Sequence, residues 1–355
     1  MLAGLRGVLG RSRGFLGLAT SSVGEKKAVV IGGTGYVGSH VVAQLLGKRY
    51  KVRATSRDTT KALWLQSLVT EDKKDRVELF ELQLSSESPP DEKMDQLLNG
   101  ADAVFFCAGF EHQDPSTIDF MVNNALATVK AAKRQKVPCV VLTSSGGSTN
   151  PPGLANETPK KELEHWSDPE AQKANGRFSP AAKTLMEINA LKAVGRDQQN
   201  TVVAPEAANG APRLCIVNPN LILGPQLQPG TVSGNSLPWV VRILKGETMN
   251  EKVPNDSMSI IDVRDLAKLH VACMEQETAS GRYFAVNKSF PWEEILTAFE
   301  EKYPNYKKPP RFEGAQAMPT QFDFTRRDSL GVDLHPLGET VNDLVEFLKE
   351  RGELQ

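Results

Sequence analysis

Ala28-Val29-Val30-Ile31-Gly32-Gly33-Thr34-Gly35-Tyr36-Val37-Gly38-Ser39-His40 runs from an apolar segment through three spaced glycines into a helical stripe. Residues 28–31 are short, apolar and β-branched, as a buried strand requires. Gly32, Gly35 and Gly38 follow at a spacing of three, and Val37, Val41, Val42, Leu45 and Leu46 then recur on one helical face. Strand, glycine turn and helix start together make a phosphate cradle. The first glycine permits the tight turn, the second lets backbone approach a pyrophosphate, and the third lets helix and strand pack closely. Thr34, Tyr36 and Val37 complete the turn, whose open N–H groups face the anion. The competing reading is an ordinary strand-to-helix corner. The order of the three parts favours a nucleotide-binding turn.

Further strands are expected at 51–55, 77–82, 103–107, 139–143 and 214–217. Helices are expected around 61–69, 94–98, 120–135, from Ser179 to about Gly195, and at 339–349. Strands alternating with helices at this spacing predict an α/β fold, a Rossmann doubly wound parallel sheet with a smaller C-terminal lobe. The expected division is residues 25–220 for the dinucleotide-binding domain and 221–355 for the substrate lobe with returning elements. The segment 201–212, rich in Ala, Asn and Pro, reads as a surface insertion.

The bulk numbers narrow the function. With 355 residues, 40% of them hydrophobic, and a net charge of -1, no global field favours nucleic acid. No apolar run approaches the ~20 residues that cross a bilayer. Cys107, Cys139, Cys215 and Cys273 are widely spaced and show no metal-binding pattern. Residues 1–24 carry Arg6, Arg11 and Arg13, several Ser, Thr and Gly, and no acid. That composition predicts an organelle transit peptide, with a mitochondrial address (matrix side) ahead of a plastid one. A disordered tail is the plainer reading.

The end of the second strand is where such folds choose their cofactor. Here stand Ser56, Arg57 and Asp58, with Lys61 nearby. Arg57 can meet a 2′-phosphate with two parallel hydrogen bonds, and Lys61 can add charge, so NADP is expected, with NAD as the alternative. Asp58 leaves a second option open, because it can pair with Arg57 instead. Gln83 and Leu84 lie where adenine would rest. Cys107, Ala108 and Gly109 are small enough to let backbone approach the cofactor.

These residues resemble a known family, the extended short-chain dehydrogenase/reductases of the NAD-dependent epimerase/dehydratase type. The similarity is greatest to the dihydroflavonol and cinnamoyl-CoA reductase branch. It runs from Lys27 almost to the C-terminus. Its carriers are the glycine loop, Val52-Arg53-Ala54-Thr55-Ser56-Arg57-Asp58, Leu142-Thr143-Ser144-Ser145-Gly146-Gly147, Lys183-Thr184-Leu185-Met186-Glu187, Asn218-Pro219-Asn220-Leu221-Ile222-Leu223-Gly224-Pro225, Asp262-Val263-Arg264-Asp265 and Gly281-Arg282-Tyr283. The resemblance implies a serine that orients a carbonyl, a tyrosine that passes the proton, and a lysine four residues later that holds the ribose. Ser145 matches the serine, with Ser144 as fallback, and Lys183 matches the lysine. Asn124 matches an asparagine near the site, and Pro219 falls beside the cofactor.

The tyrosine is missing, and Ser179 stands in its place. A serine hydroxyl is shorter and far less acidic than a phenol, whose reference pKa is about 10. Ser179-Pro180 also reads as a helix start, with serine as N-cap and proline at the first helical position. His112 and His165 are loop histidines near the expected cleft. Two functions follow. One is an NADP-dependent oxidoreductase acting on a carbonyl or alcohol, with impaired turnover. The other is a non-catalytic nucleotide-binding subunit or sensor in a mitochondrial complex, as in respiratory complex I. The substrate is an unnamed small molecule. A homodimer through helices 120–135 and 181–193 competes with the plainer view that both carry core-facing stripes.

Overall fold

A computed structural model describes residues 25–109, 114–234 and 236–355. The expected transit segment and His112 lie outside the described residues. The central sheet has strands β1 (Lys27–Ile31), β2 (Lys51–Ser56), β3 (Val77–Glu81), β4 (Ala103–Phe106), β5 (Cys139–Thr143), β6 (Arg213–Pro219) and, from much later in the chain, β9 (Gly281–Ala285). Their order is β3-β2-β1-β4-β5-β6-β9, and every pairing is parallel. Between them, β7 (Leu221–Leu223) and β8 (Ser257–Asp262) pair in parallel, and β10 (Lys288–Pro291) joins β8 antiparallel. This is the doubly wound Rossmann sheet that the sequence predicts.

The helices are α1 (Tyr36–Gly47), α2 (Asp91–Leu98), α3 (Ser116–Arg134), α4 (Pro169–Ala174), α5 (Phe178–Ala193) and α6 (Pro205–Ala208). They continue as α7 (Ser236–Leu244), α8 (Val263–Glu275), α9 (Trp292–Lys302), α10 (Thr325–Asp328) and α11 (Leu337–Glu350). One sheet face is packed by α1 and α8 through Val41, Leu45, Ala267 and Val271. The other is packed by α2, α3 and α5 through Leu97, Met121, Ala125 and Met186. A strand covered on both faces must be apolar along its whole length, which explains the unbroken Ala28–Ile31 run. A third core joins Leu237, Val240, Leu296, Phe299, Val341 and Leu344 from α7, α9 and α11. The chain after Leu223 builds this lobe and also sends α8 and β9 back to the main sheet.

Several boundaries differ from the sequence reading. The helix expected near 61–69 is a 3₁₀ run, Thr60–Leu68. The fourth strand ends at Phe106, so Cys107 opens the loop. Ser179 is not an N-cap. Helix α5 begins at Phe178 after Arg177, which makes no side-chain cap bond, and Pro180 sits third in the helix. Proline fits there because the first-turn N–H groups have no intrahelical acceptor anyway. The 201–212 segment is an excursion that carries α6 and exposes Val202 and Val203.

β1 lies where the order reverses, with β2 on one side and β4 on the other. In open sheets of this kind, ligands bind beyond the carboxyl ends of the strands at that point. The loops after β1, β2, β3, β4 and β5 all leave from the carboxyl ends of the strands.

Candidate functional site

The glycine turn has the geometry of a cradle. Gly32 has φ +82°, and its N–H donates to Thr55 Oγ1 at 3.0 Å. A Cβ on Gly32 would lie 2.7 Å from Ala108 N, so the β4 loop packs directly on the turn. A Cβ on Gly38 would fall 2.1 Å from Gly32 O. Gly35 N–H donates to Gly32 O at 3.0 Å and closes the loop. Helix α1 has no side-chain cap and no acid in its first turn. Its open N–H groups and positive dipole end are left for an anion. Tyr36 is buried and donates its hydroxyl proton to Gly224 O at 2.8 Å, while Thr34 and Val37 are partly buried.

At the end of β2, Asp58 does not pair with Arg57. Its Oδ1 accepts from Thr60 N–H at 3.0 Å and Thr60 Oγ1 at 2.6 Å, and Lys61 Nζ lies 3.7 Å from Oδ2. These bonds hold its carboxyl below the usual range, the Thr60 hydroxyl first among them. Arg57 is exposed, without an ion-pair partner among the described residues. Lys61 is exposed as well, its charge shared with Asp58. Gln83 is exposed and Leu84 half-buried just past β3.

The candidate reaction residues are gathered at the end of β5. Lys183, on α5, donates from Nζ to the Thr143 carbonyl at 2.8 Å. Burial pushes its ammonium down to about 8, against the pull of the nearby Glu187 and Cys107. Ser145 Oγ accepts from Gly147 N–H at 3.0 Å, which leaves its own proton free to donate outward. Ser144 is buried and gives its proton to Glu187 Oε1. Of the two serines, Ser145 has the free donor. Pro180 at the start of α5 packs against Gly147, where a Cβ would be 3.1 Å from Pro180 Cβ and 3.3 Å from Ser145 Oγ. Ser179, beside it, is half-buried.

Cys107 is half-buried, and burial pushes its thiol up to about 11, so it stays protonated. Gly109 has open space around its Cα, and Pro219 is buried at the end of β6. Asn124 is buried with its amide nitrogen donating to Phe120 O and Ser85 O, both at 2.7 Å. It ties the loop after β3 to α3. His165 accepts from Lys161 N–H at 2.8 Å. Among the described residues no cluster of His, Cys, Asp and Glu is suited to a metal, and no helix is long and apolar enough to cross a membrane.

Sequence reasoning missed His270 and Arg282. His270 is fully buried on α8, its Nδ1 against Leu266 O and its Nε2 against Thr143 Oγ1, both at 2.7 Å. A carbonyl can only accept, so Nδ1 carries the proton and Nε2 accepts from Thr143. Burial lowers this ring's pKa to about 4, keeping it neutral. Arg282 lay within a quoted motif, but nothing in the sequence linked it to Glu187.

Comparison with known proteins fits this geometry. Residues 32–181 match an NAD(P)H-binding family. Cinnamoyl-CoA reductase 1 of Oryza sativa subsp. japonica is 30% identical over 339 residues, covering 93% of each chain. Tetraketide alpha-pyrone reductase 2 of Arabidopsis thaliana is 28% identical, covering 91% of this chain and 98% of its own. Among solved structures, vestitone reductase from alfalfa superposes with a TM-score of 0.73 at 22% identity, over 93% of this chain and 100% of its own. The yeast methylglyoxal/isovaleraldehyde reductase complexed with NADPH gives 0.76 at 21%, over 92% of this chain and 100% of its own. The chain belongs to the extended short-chain dehydrogenase/reductase family, in the NAD-dependent epimerase/dehydratase-like branch with the cinnamoyl-CoA reductases.

Proposed function

We propose that the protein binds NADP(H) and acts on a small carbonyl compound or its alcohol, with slow proton transfer. The observation that carries this reading is an exposed Arg57 without an ion-pair partner among the described residues at the end of β2, in a sheet whose β5 end carries Ser145 and the Lys183–Thr143 bond. The residues fit the cofactor. Gly32 and Gly38 let the turn close tightly on the chain's own backbone, exposed Gly35 leaves the turn without a side chain, and the helix end is bare of acid. The α1 turn would hold the pyrophosphate, Arg57 the 2′-phosphate, and Lys183 the ribose next to the nicotinamide. When bound, the cofactor supplies or accepts hydride.

The chain's own residues do the rest. Ser145 Oγ donates a hydrogen bond to the substrate oxygen. Lys183 holds positive charge beside that oxygen as it gains or loses a proton. Ser179 offers no phenol to pass the proton, so the proton travels through water. The test is titration of the purified protein with NADPH and NADH, followed by a screen of aldehydes and ketones. Tight NADPH binding with measurable oxidation supports the reading. Binding with no oxidation of NADPH by any carbonyl sinks the enzyme half of it.

That second outcome favours a non-catalytic nucleotide-binding subunit or sensor, a reading supported by Ser179 and by the acid-free segment 1–24. The same segment supports a mitochondrial matrix location, with a plastid as the alternative. Cell fractionation tests it, and native gels of organelles showing only free monomer or dimer would sink the complex-subunit version.

A further inference from the structure

We propose that Glu187 and Arg282 are positioning residues, a buried ionic hub that fixes the serine loop and helix α5 so that Ser145 and Lys183 face one point. The inference rests on the reading of those two residues as the reaction site. Both hub side chains are completely buried, and their charges meet at 2.8 Å. Glu187 Oε1 receives Ser144 Oγ, Ser148 Oγ and, at 2.8 Å, Asn218 Nδ2. Arg282 donates to the Ser148 carbonyl at 2.9 Å, to Glu162 O at 2.8 Å and to His165 O at 2.9 Å. Its guanidinium lies 3.8 Å from the Trp166 ring centroid.

The hub therefore joins five pieces of chain: the loop after β5, the loop carrying Glu162 to Trp166, α5, β6 and β9. Ser145 stands between hub partners Ser144 and Ser148. Lys183 is one helical turn from Glu187 on the same face of α5. A buried ion pair is weak evidence for stability, because desolvation offsets much of the attraction and an apolar pair of similar volume is often as good. What an apolar pair cannot do is hold three hydroxyl and amide donors at one oxygen and four acceptors around one fork. Glu187 also acts on Lys183 directly. The charged or titratable groups that face Lys183 are Glu187 from its own helix, Cys107 from the β4 loop and His270 from α8. Only Glu187 carries charge at neutral pH, since the other two are held neutral by burial.

The test uses the full chain without cofactor and the variants Glu187→Gln and Glu187→Gln/Arg282→Met. The double variant leaves no unpaired buried charge and keeps an oxygen for the three donors. Lysines are labelled by reductive ¹³C-methylation, and the Lys183 resonance is assigned by its loss in Lys183→Arg. The hub predicts that the Lys183 titration midpoint falls by about one pH unit in both variants. It also predicts that hydrogen exchange at Gly147 N–H, which Ser145 Oγ receives, speeds up at least tenfold in the double variant. Unchanged Lys183 titration and unchanged Gly147 exchange in a folded double variant would overturn the proposal. Failure of both variants to fold would overturn it too, making the pair scaffold. Should wild-type Lys183 titrate with ordinary lysines near pH 10.4, the reading of the site fails instead, and Gly147 exchange still decides the hub.

Discussion

Ser179 is the residue on which the proposed catalysis turns. Its identity was plain from the sequence, but its setting was not. Ser-Pro before a helical run reads as a cap, whereas the helix starts two residues earlier than that pattern implies and Ser179 lies inside its first turn without capping it. Propensity placed the cap from local chemistry, and the packing of Pro180 on Gly147 won. The consequence is useful. Ser179→Tyr removes no cap, so it should fold, and it returns a phenol one turn before Lys183. General acid catalysis contributes about 10²–10⁴-fold, and a gain of that order in NADPH oxidation with a reactive aldehyde is the expected result. A folded variant with no gain would show that more than the phenol is missing. Ser145→Ala, by contrast, should lower any wild-type turnover by at least tenfold while leaving NADPH affinity intact, as parallel kinetics and titration would show.

At the scale of elements, the strand–turn–helix unit was legible because each part is set locally. The apolar run, the glycine spacing and the helical stripe need no distant partner to be recognised. The steric reason for Gly38 was expected as close packing and appears as the 2.1 Å approach of a would-be Cβ to Gly32 O. Gly38→Ala should therefore destabilise the protein by roughly 1–3 kcal/mol and weaken NADPH binding, both measurable by thermal unfolding with and without cofactor. The Arg57–Asp58 ambiguity could not be settled from sequence, since it depends on the turn that brings Thr60 to Asp58. With Asp58 so engaged, Arg57→Ala should cost NADPH at least tenfold in affinity and leave NADH nearly unchanged.

Over the whole molecule, what the sequence could not convey is which distant residues meet in the core. Glu187 and Arg282 lie on an early helix and a late strand, and only the return of β9 to the main sheet brings them together. His270 meets Thr143 for the same reason, because α8 comes back to cover the face that α1 began. This burial has a global effect. His270 and His40 are each held by burial at about 4, below their ordinary 6.5. A folded pKa lowered in this way means that stability is fully present above pH 6.5 and is lost as pH falls through 4. Thermal midpoints should drop across that window, and His270→Gln should show a shallower drop than wild type. Equal slopes would mean that the ring is not neutral in the folded state.

The proposed site requires that the chain hold a 2′-phosphorylated dinucleotide whether or not it turns one over. Calorimetric titration of the purified wild-type protein with NADPH and with NADH tests this most directly. Saturable one-site binding of NADPH at least tenfold tighter than NADH is expected. Binding of neither nucleotide, or of NADH as tightly as NADPH, would rule out the proposed site.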